Sequence, residues 1–392
     1  MSEIIKNQPT YTLLDLIKYF LKLGTTGFGG PVALVGYMHR DLVENKKWIN
    51  DSDFKEGLAL SQLAPGPLAA QLGIYIGFVH FGILGATVSG LAFVLPSFIM
   101  VVLLGLAYQA YGGLPWMQAI FYGISAAVIG IIVLSSYKLT IKSISKFEIP
   151  AVKTNWLLWT FYLAAAILTA VTQKEEMLLF IALGFIYMVV KAPPEWIKRP
   201  KIASFFLLGT AGFSAIELGK LGDLAWFFTK AGAFVFGSGL AIVPFLHSGV
   251  VNEHGWLTEN QFIDAVAVAM ITPGPVVITV GFIGYLVAGF TGATVAALGV
   301  FLPCYLFTVI PAPYFKKISQ NKSIKAFVDG ITAGVIGALV GAVIVIGIRT
   351  IVDIPTALIA IGTVLILIYV KKLQEPHIIG IAALLGILLK LL

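Results

Sequence analysis

Two kinds of helix break each occur twice in this chain, and they are where its chemistry gathers. Gly27-Phe28-Gly29-Gly30-Pro31 lies inside an apolar run, as does Phe236-Gly237-Ser238-Gly239. Consecutive glycines weaken a helix and a proline removes a backbone donor. In hydrocarbon the freed groups persist only where protein or a watery cavity receives them. Each stretch reads either as a packing notch or as a broken helix whose half-helix N-terminus turns bare N–H groups and a positive dipole end toward an anion. Pro31 suits the first turn of such a half-helix. The second kind, Pro65-Gly66-Pro67 and Pro273-Gly274-Pro275, excludes continuous helix through those points. Ser61, Gln62 and Gln71 flank the first and Thr272 and Thr279 the second, uncharged groups able to donate to a bound oxygen.

Charged residues stand close to these breaks. Lys22 and Lys230 each precede a Phe-Gly pair by six positions. A lysine at the centre of a spanning helix costs roughly 2.5–3.5 kcal/mol, so it either snorkels to an interface or serves a ligand. One cation from each half, converging, would match a dianion. Glu56 and Asp264 open the next segment of each half. Acids there cap a helix or pair with a loop cation, and the alternative is a gating or proton-linked role. His39 and His247, at segment ends, read as interfacial, and Trp48 and Trp256 as interface anchors.

The elements that hold these residues must be membrane helices. Of 392 residues 58% are hydrophobic and 11% charged, with a mean hydropathy of +0.95. A soluble domain runs at about 25% charged; this chain cannot cover a water-facing surface. The net charge of +7 then reads as lysine kept on cytoplasmic loops, with no nucleic-acid partner and a lipid bilayer as surroundings. One cysteine, Cys304, gives no disulfide framework. Scattered histidines without ligand spacing, and the lack of a Walker loop or GxSxG, predict no metal, no cofactor and no enzyme. The polar first residues, without a cleavage pattern, predict no removable signal peptide.

About 20 apolar residues span a bilayer, and about 12 or 13 segments approach that length. They fall into a repeat. Residues 15–67 match 223–275 at a constant offset of 208, pairing Asp15 with Asp223, Gly24 with Gly232, Phe54 with Phe262 and Glu56 with Asp264. After one deletion the offset becomes 207, carrying Gly77 onto Gly284 and Gly123 onto Gly330. Loop charge swaps between the copies. Arg40, Lys46, Lys47 and Lys55 follow the first segment, whereas 248–261 carries no lysine or arginine; Lys316, Lys317, Lys322 and Lys325 crowd the next loop of half two, whereas 112–117 has none. The repeats are therefore expected to be inverted, with the extra run Phe205–Leu218 supplying the odd crossing. Basic loops at 39–55 and 136–155 also require an even number of crossings between them, met if the Pro65-Gly66-Pro67 segment enters and leaves on one side.

The expected fold is an all-α polytopic membrane protein of two homologous inverted-topology repeats with broken or re-entrant helices. An N-terminal repeat covers 1–195, a basic linker with a connecting hydrophobic segment 196–222, and a C-terminal repeat 223–392. The expected substrate site takes Lys22, Gly29, Gly30, Ser61, Gln62, Pro65, Gly66, Pro67 and Gln71 from half one. From half two it takes Lys230, Gly237, Ser238, Gly239, Thr272, Pro273, Gly274 and Pro275, with Glu56 and Asp264 gating or coupling.

At these residues the sequence resembles the chromate ion transporter family. The pieces that match are residues 27–31, Trp48 with Phe54, Ser61-Gln62-Leu63-Ala64-Pro65-Gly66-Pro67, and the second copy at 236–275. The resemblance covers nearly the whole chain and includes the two-half, opposite-orientation build of the family's long members. It implies export of chromate from the cytoplasm across the plasma membrane, conferring chromate resistance. Sulfate or another oxyanion is the competing substrate, an anion-selective channel is the alternative to a carrier, and a homodimer is compatible with the sequence. Half two departs from the pattern at Gly237-Ser238-Gly239 and at Met270-Ile271-Thr272, which makes the halves unequal contributors to a site. A dianion leaving a cell at 100 mV, negative inside, gains about 4.6 kcal/mol.

Overall fold

A computed structural model describes residues 11–146, 148–173, 177–194, 219–235, 239–315, 321–370 and 373–391. Every regular element among them is helical. Half one comprises α1 (Leu13–Thr26), α2 (Gly30–Met38), α3 (Asp51–Leu63), α4 (Leu68–Tyr111), α5 (Pro115–Ser143), the short α6 (Ile149–Thr154), α7 (Trp156–Thr172) and α8 (Met177–Lys191). Half two repeats the order with α9 (Gly219–Ala233), α10 (Val243–His247), α11 (Glu259–Ile271), α12 (Thr279–Val309), α13 (Lys322–Thr350), α14 (Ile354–Tyr369) and α15 (Glu375–Leu391). A π-helical turn prolongs α2 over His39–Asn45 and α10 over Ser248–Glu253. The connecting run Phe205–Leu218 lies outside the described residues, as do Lys316 and Lys317.

Local chemistry sets where the helices start. Thr12 and Asp15 close a reciprocal capping box on α1, and Thr258 and Gln261 do the same for α11, satisfying donors that have no partner within the helix. Asn50 caps α3. Glu56 and Asp264 therefore do not cap, contrary to the simplest reading of the sequence; they lie inside α3 and α11. Along α1 the buried face is Leu16, Phe20, Leu23 and Gly24, and Gly24 abuts the Phe93 carbonyl. Gly232 of α9 abuts the Val300 carbonyl in the matching place. Small residues let backbones approach this closely where apolar burial alone cannot hold helices together.

The run 57–80 is two antiparallel helices, not one span. On either side of Pro65-Gly66-Pro67, Gly57 of α3 meets the Tyr75 ring on α4, so the segment enters and leaves on one side. A second reversal follows at Gly82, whose φ of 61° and ψ of −150° suit only glycine. Ile74 consequently touches Gly90, although a straight helix would hold them about 24 Å apart. α4 is thus two arms, 68–81 and 83–111. Its twin α12 reverses at Gly289 (φ 61°, ψ −153°).

The second arms show how the halves are related. Thr87 hydrogen-bonds Tyr305 (2.8 Å) and Phe98 meets Phe290 (ring centroids 6.2 Å). Residue numbers rise along one arm as they fall along its copy. A helix antiparallel to its own duplicate is the signature of inverted repeats. The halves also exchange their last two helices. Gly123 and Gly130 of α5 pack on Ala382 of α15 and Ala360 of α14, whereas Gly330 and Gly337 of α13 pack on Leu183 of α8 and Tyr162 of α7. α7 and α8 scarcely touch each other, nor do α14 and α15; each pair clamps the long helix of the other half.

Candidate functional site

The two kinds of break meet, and each meets the copy from the other half. The Gly66 N–H donates to the Val235 carbonyl (2.5 Å) and the Gly274 N–H to the Gly27 carbonyl (2.9 Å). These bonds are equivalent under the offset of 208. Each Pro-Gly-Pro tip is therefore pinned to the broken helix of the opposite repeat. Ser97 reinforces one crossing: its hydroxyl donates to the Pro273 carbonyl at 2.7 Å and lies 3.3 Å from that of Gly24. Cys304, its twin, is buried against Gly66 at the other.

The uncharged donors expected around the tips are largely occupied. Ser61 and Thr272 donate to the carbonyls four residues back, Gly57 and Val268, and Thr279 donates to that of Val276. The Gln71 amide donates to the Pro65 carbonyl (2.8 Å), while its buried carbonyl oxygen has no partner among the described residues. Gln62 is exposed. Pro67 precedes α4 as its N-cap, Pro275 precedes the short turn before α12, and Gly29, at φ 100°, precedes α2, with Gly30 and Pro31 in its first turn. Gly239 begins a tight turn before α10. Gly237 and Ser238 lie outside the described residues.

Each half carries a cleft over its own broken helix. In half one a space of about 600 Å³ is bordered by Lys18, Lys22, Arg40 and Lys46, by Asp15 and Asp41, and by Tyr19, Tyr37 and Gly27. Four cations against two acids leave two positive charges. Half two has the matching cleft of about 190 Å³. Phe227 stands there for Tyr19, Lys230 for Lys22, Phe245 for Tyr37, Ser248 for Arg40, Gly249 for Asp41 and Glu253 for Asn45. Met177 and Leu178 of α8 border it too, and its one lysine is balanced by Glu253. Lys22 and Lys230 thus line separate clefts with no residue in common. They do not converge on one dianion as the sequence suggested.

The ion pairs that follow α2 and α10 differ as well. His39 reaches Asp51 (3.3 Å) and its twin His247 reaches Glu259 (2.7 Å). Hydrogen bonds from Lys55 and then His39 hold the Asp51 carboxyl below the usual carboxylate range. In half two the pair is extended, because Arg349 joins Glu259 (2.6 Å) to the Gln173 side-chain oxygen (2.6 Å) and so ties α13 and α11 to the end of α7. Deeper in, Asp264 is buried and accepts a hydrogen bond from Tyr108 (2.6 Å), while Glu56 is half-buried and faced by Tyr75.

Sequence reasoning missed Lys18, Arg40, Lys46, Ser97, Tyr108 and Arg349. For Arg40 and Lys46 a signal was present. They are cations in one repeat whose twins, Ser248 and His254, are not. Ser97 and Tyr108 gave none, since one small polar residue and one aromatic in an apolar arm are ordinary.

A family model described as chromate transporter matches residues 14–189 and again residues 222–387. The chain belongs to the chromate transporter family. A chromate transport protein of Cupriavidus metallidurans is 60% identical over 387 residues, 98% of this chain and 94% of that protein. A probable chromate transport protein of Synechococcus elongatus is 56% identical, covering 97% and 96%. One from Pseudomonas aeruginosa is 31% identical, covering 85% and 80%. No solved structure matches the chain. As a member of the chromate transporter family with several helices long and apolar enough to cross a bilayer, it is a multi-pass membrane protein.

Proposed function

We propose that the protein is a secondary carrier, not an enzyme, that exports chromate from the cytoplasm across the plasma membrane and so confers chromate resistance. The observation that carries this reading is the cationic cleft of half one. Its surplus of two positive charges matches a tetrahedral oxyanion dianion, and its floor is Gly27, where the two halves cross. Arg40 and Lys46 belong to the basic loop that marks the cytoplasmic side, so the cleft faces the compartment from which chromate is removed. The neutral cleft of half two serves release. The crossing bonds at Gly66 and Gly274 join backbone of both halves, one of them at Gly27 in the lining of the first cleft, which supports a carrier over a channel. Rocking of one repeat against the other then moves the floor from one cleft to the other. Sulfate, with the same shape and charge, competes, and the functional units are the repeats at 1–195 and 223–392 joined by 196–222. The names of the relatives from Cupriavidus and Pseudomonas support chromate as the cargo.

The test is uptake of labelled chromate into everted vesicles at an imposed inside-positive potential. Saturable, protein-dependent uptake that excess sulfate lowers is expected. Its absence in a competent preparation overturns the chromate assignment.

A further inference from the structure

One buried group takes no part in this pathway. Asp264 sits inside α11 with 7% of its surface exposed, and its carboxylate oxygen accepts a hydrogen bond from Tyr108 at 2.6 Å. Among the described residues no lysine, arginine or histidine forms an ion pair with it within 4.0 Å. Tyr108, on the second arm of α4, is the titratable group that faces it; α5 offers the Ser125 hydroxyl and α12 the Phe282 ring beside Tyr108 (5.5 Å), and among the described residues no charged group of α15 or of the π-helical turn at Ser248–Glu253 pairs with it. A carboxylate here would be buried without a counter-charge, a cost that a bound proton removes.

The internal duplication supplies a second, independent observation. Glu56, the twin of Asp264, is faced by Tyr75, two residues before Gly77. Phe282 stands two residues before the matching Gly284. Conversely, Tyr108 matches Phe315, which packs in one cluster with Tyr75. Each acid thus keeps one tyrosine and one phenylalanine, in opposite places. The hydroxyl has changed rings without leaving its carboxyl. A ring needed only for volume would not be exchanged in this compensated way.

We propose that Asp264 with Tyr108 is a proton-binding site whose occupancy is coupled to the movement of the repeats. Tyr108 and Ser125 belong to half one and α11 to half two, so rocking the halves parts them. Once Asp264 meets water its carboxylic acid gives the proton to a water molecule, leaving carboxylate and hydronium; the return movement requires the proton back. α11 also runs directly into Thr272-Pro273-Gly274, whose N–H holds the cleft floor at Gly27. The inference rests on the carrier reading for its transport assay alone.

The experiment uses full-length protein in proteoliposomes, with oxyanion flux followed between about pH 5 and pH 9. The parent is expected to change by about tenfold per pH unit on one limb, as a single titrating group requires. Asp264→Asn is expected to flatten that limb. Tyr108→Phe removes a donor to the charged form and should move the midpoint upward, and Tyr108→Phe with Phe282→Tyr should restore it by placing the hydroxyl where half one has it. A parent slope retained in Asp264→Asn, or a midpoint unmoved in Tyr108→Phe, overturns the proposal. If Asp264→Asn does not fold, the Tyr108 variants decide. If the parent moves neither chromate nor sulfate, the carrier reading fails and thermal melting in detergent decides instead. A proton held by the folded state makes the parent melt lower as pH rises, and equal pH sensitivity in parent and Asp264→Asn would refute the site.

Discussion

At the scale of single residues, the two clefts are a controlled comparison made by the chain itself. Their linings match by sequence offset, and they differ in charge, in volume and in the α8 residues that border the second. Lys22→Gln should therefore raise the half-saturating chromate concentration by about three- to tenfold, a range set by solvent screening of an exposed cation. Lys230→Gln should raise it less, because Glu253 already balances that lysine. Flux at graded chromate concentrations separates the two, and equal effects would count against the cationic cleft as the capture site. Lys22 was legible because a lysine within an apolar run is costly. Arg40 and Lys46 were not, since a basic loop already has an explanation in membrane topology. Their share in the cleft depends on the π-helical turn at 39–45, which no period in the sequence announces.

At the scale of elements, the breaks were legible and their partners were not. Pro-Gly-Pro cannot be helix, and the apolar runs divide at Phe81-Gly82 and again at Gly289-Phe290, where the arms reverse. Nothing in one strand of sequence says that Gly66 bonds Val235 rather than its own half, because twin residues offer identical chemistry to either partner. The same ambiguity hid the exchange of α7–α8 with α14–α15. Gly289→Ala should cost about 1–3 kcal/mol, since an L side chain is strained at that φ and ψ, and would appear as a lower melting temperature. Ser97→Ala leaves the buried Pro273 carbonyl without its partner, at about 1–3 kcal/mol. Ser97→Cys should melt closer to the parent, because Cys304 fills the equivalent place at the other crossing. A Cys variant no better than Ala would show that only the hydroxyl serves there.

At the scale of the whole molecule, the inverted build places Lys46 and its exposed twin His254 on opposite faces. Cysteines introduced there in a Cys304→Ser background should be labelled from opposite sides by an impermeant reagent; labelling from one side would contradict the antiparallel arms. The exchanged helix pairs make a further prediction. Residues 1–195 and 196–392 produced separately should each be degraded, each lacking the clamp on its long helix, while co-production should restore a stable complex recoverable by a tag on either piece. Joining the two copies in one chain has a consequence for vectorial work. Two identical subunits assembled head to tail across a bilayer must show the same mouth to both compartments, and such an assembly has no preferred direction of its own. Once fused, one copy can gain Arg40 and Lys46 while the other keeps Ser248 and His254, and the molecule acquires a polarity. On the proposed function, capture is then tighter on one side than on the other, while the electrochemical gradient sets the direction of net flux. Fusion is thus what lets the two mouths of this architecture carry different charge.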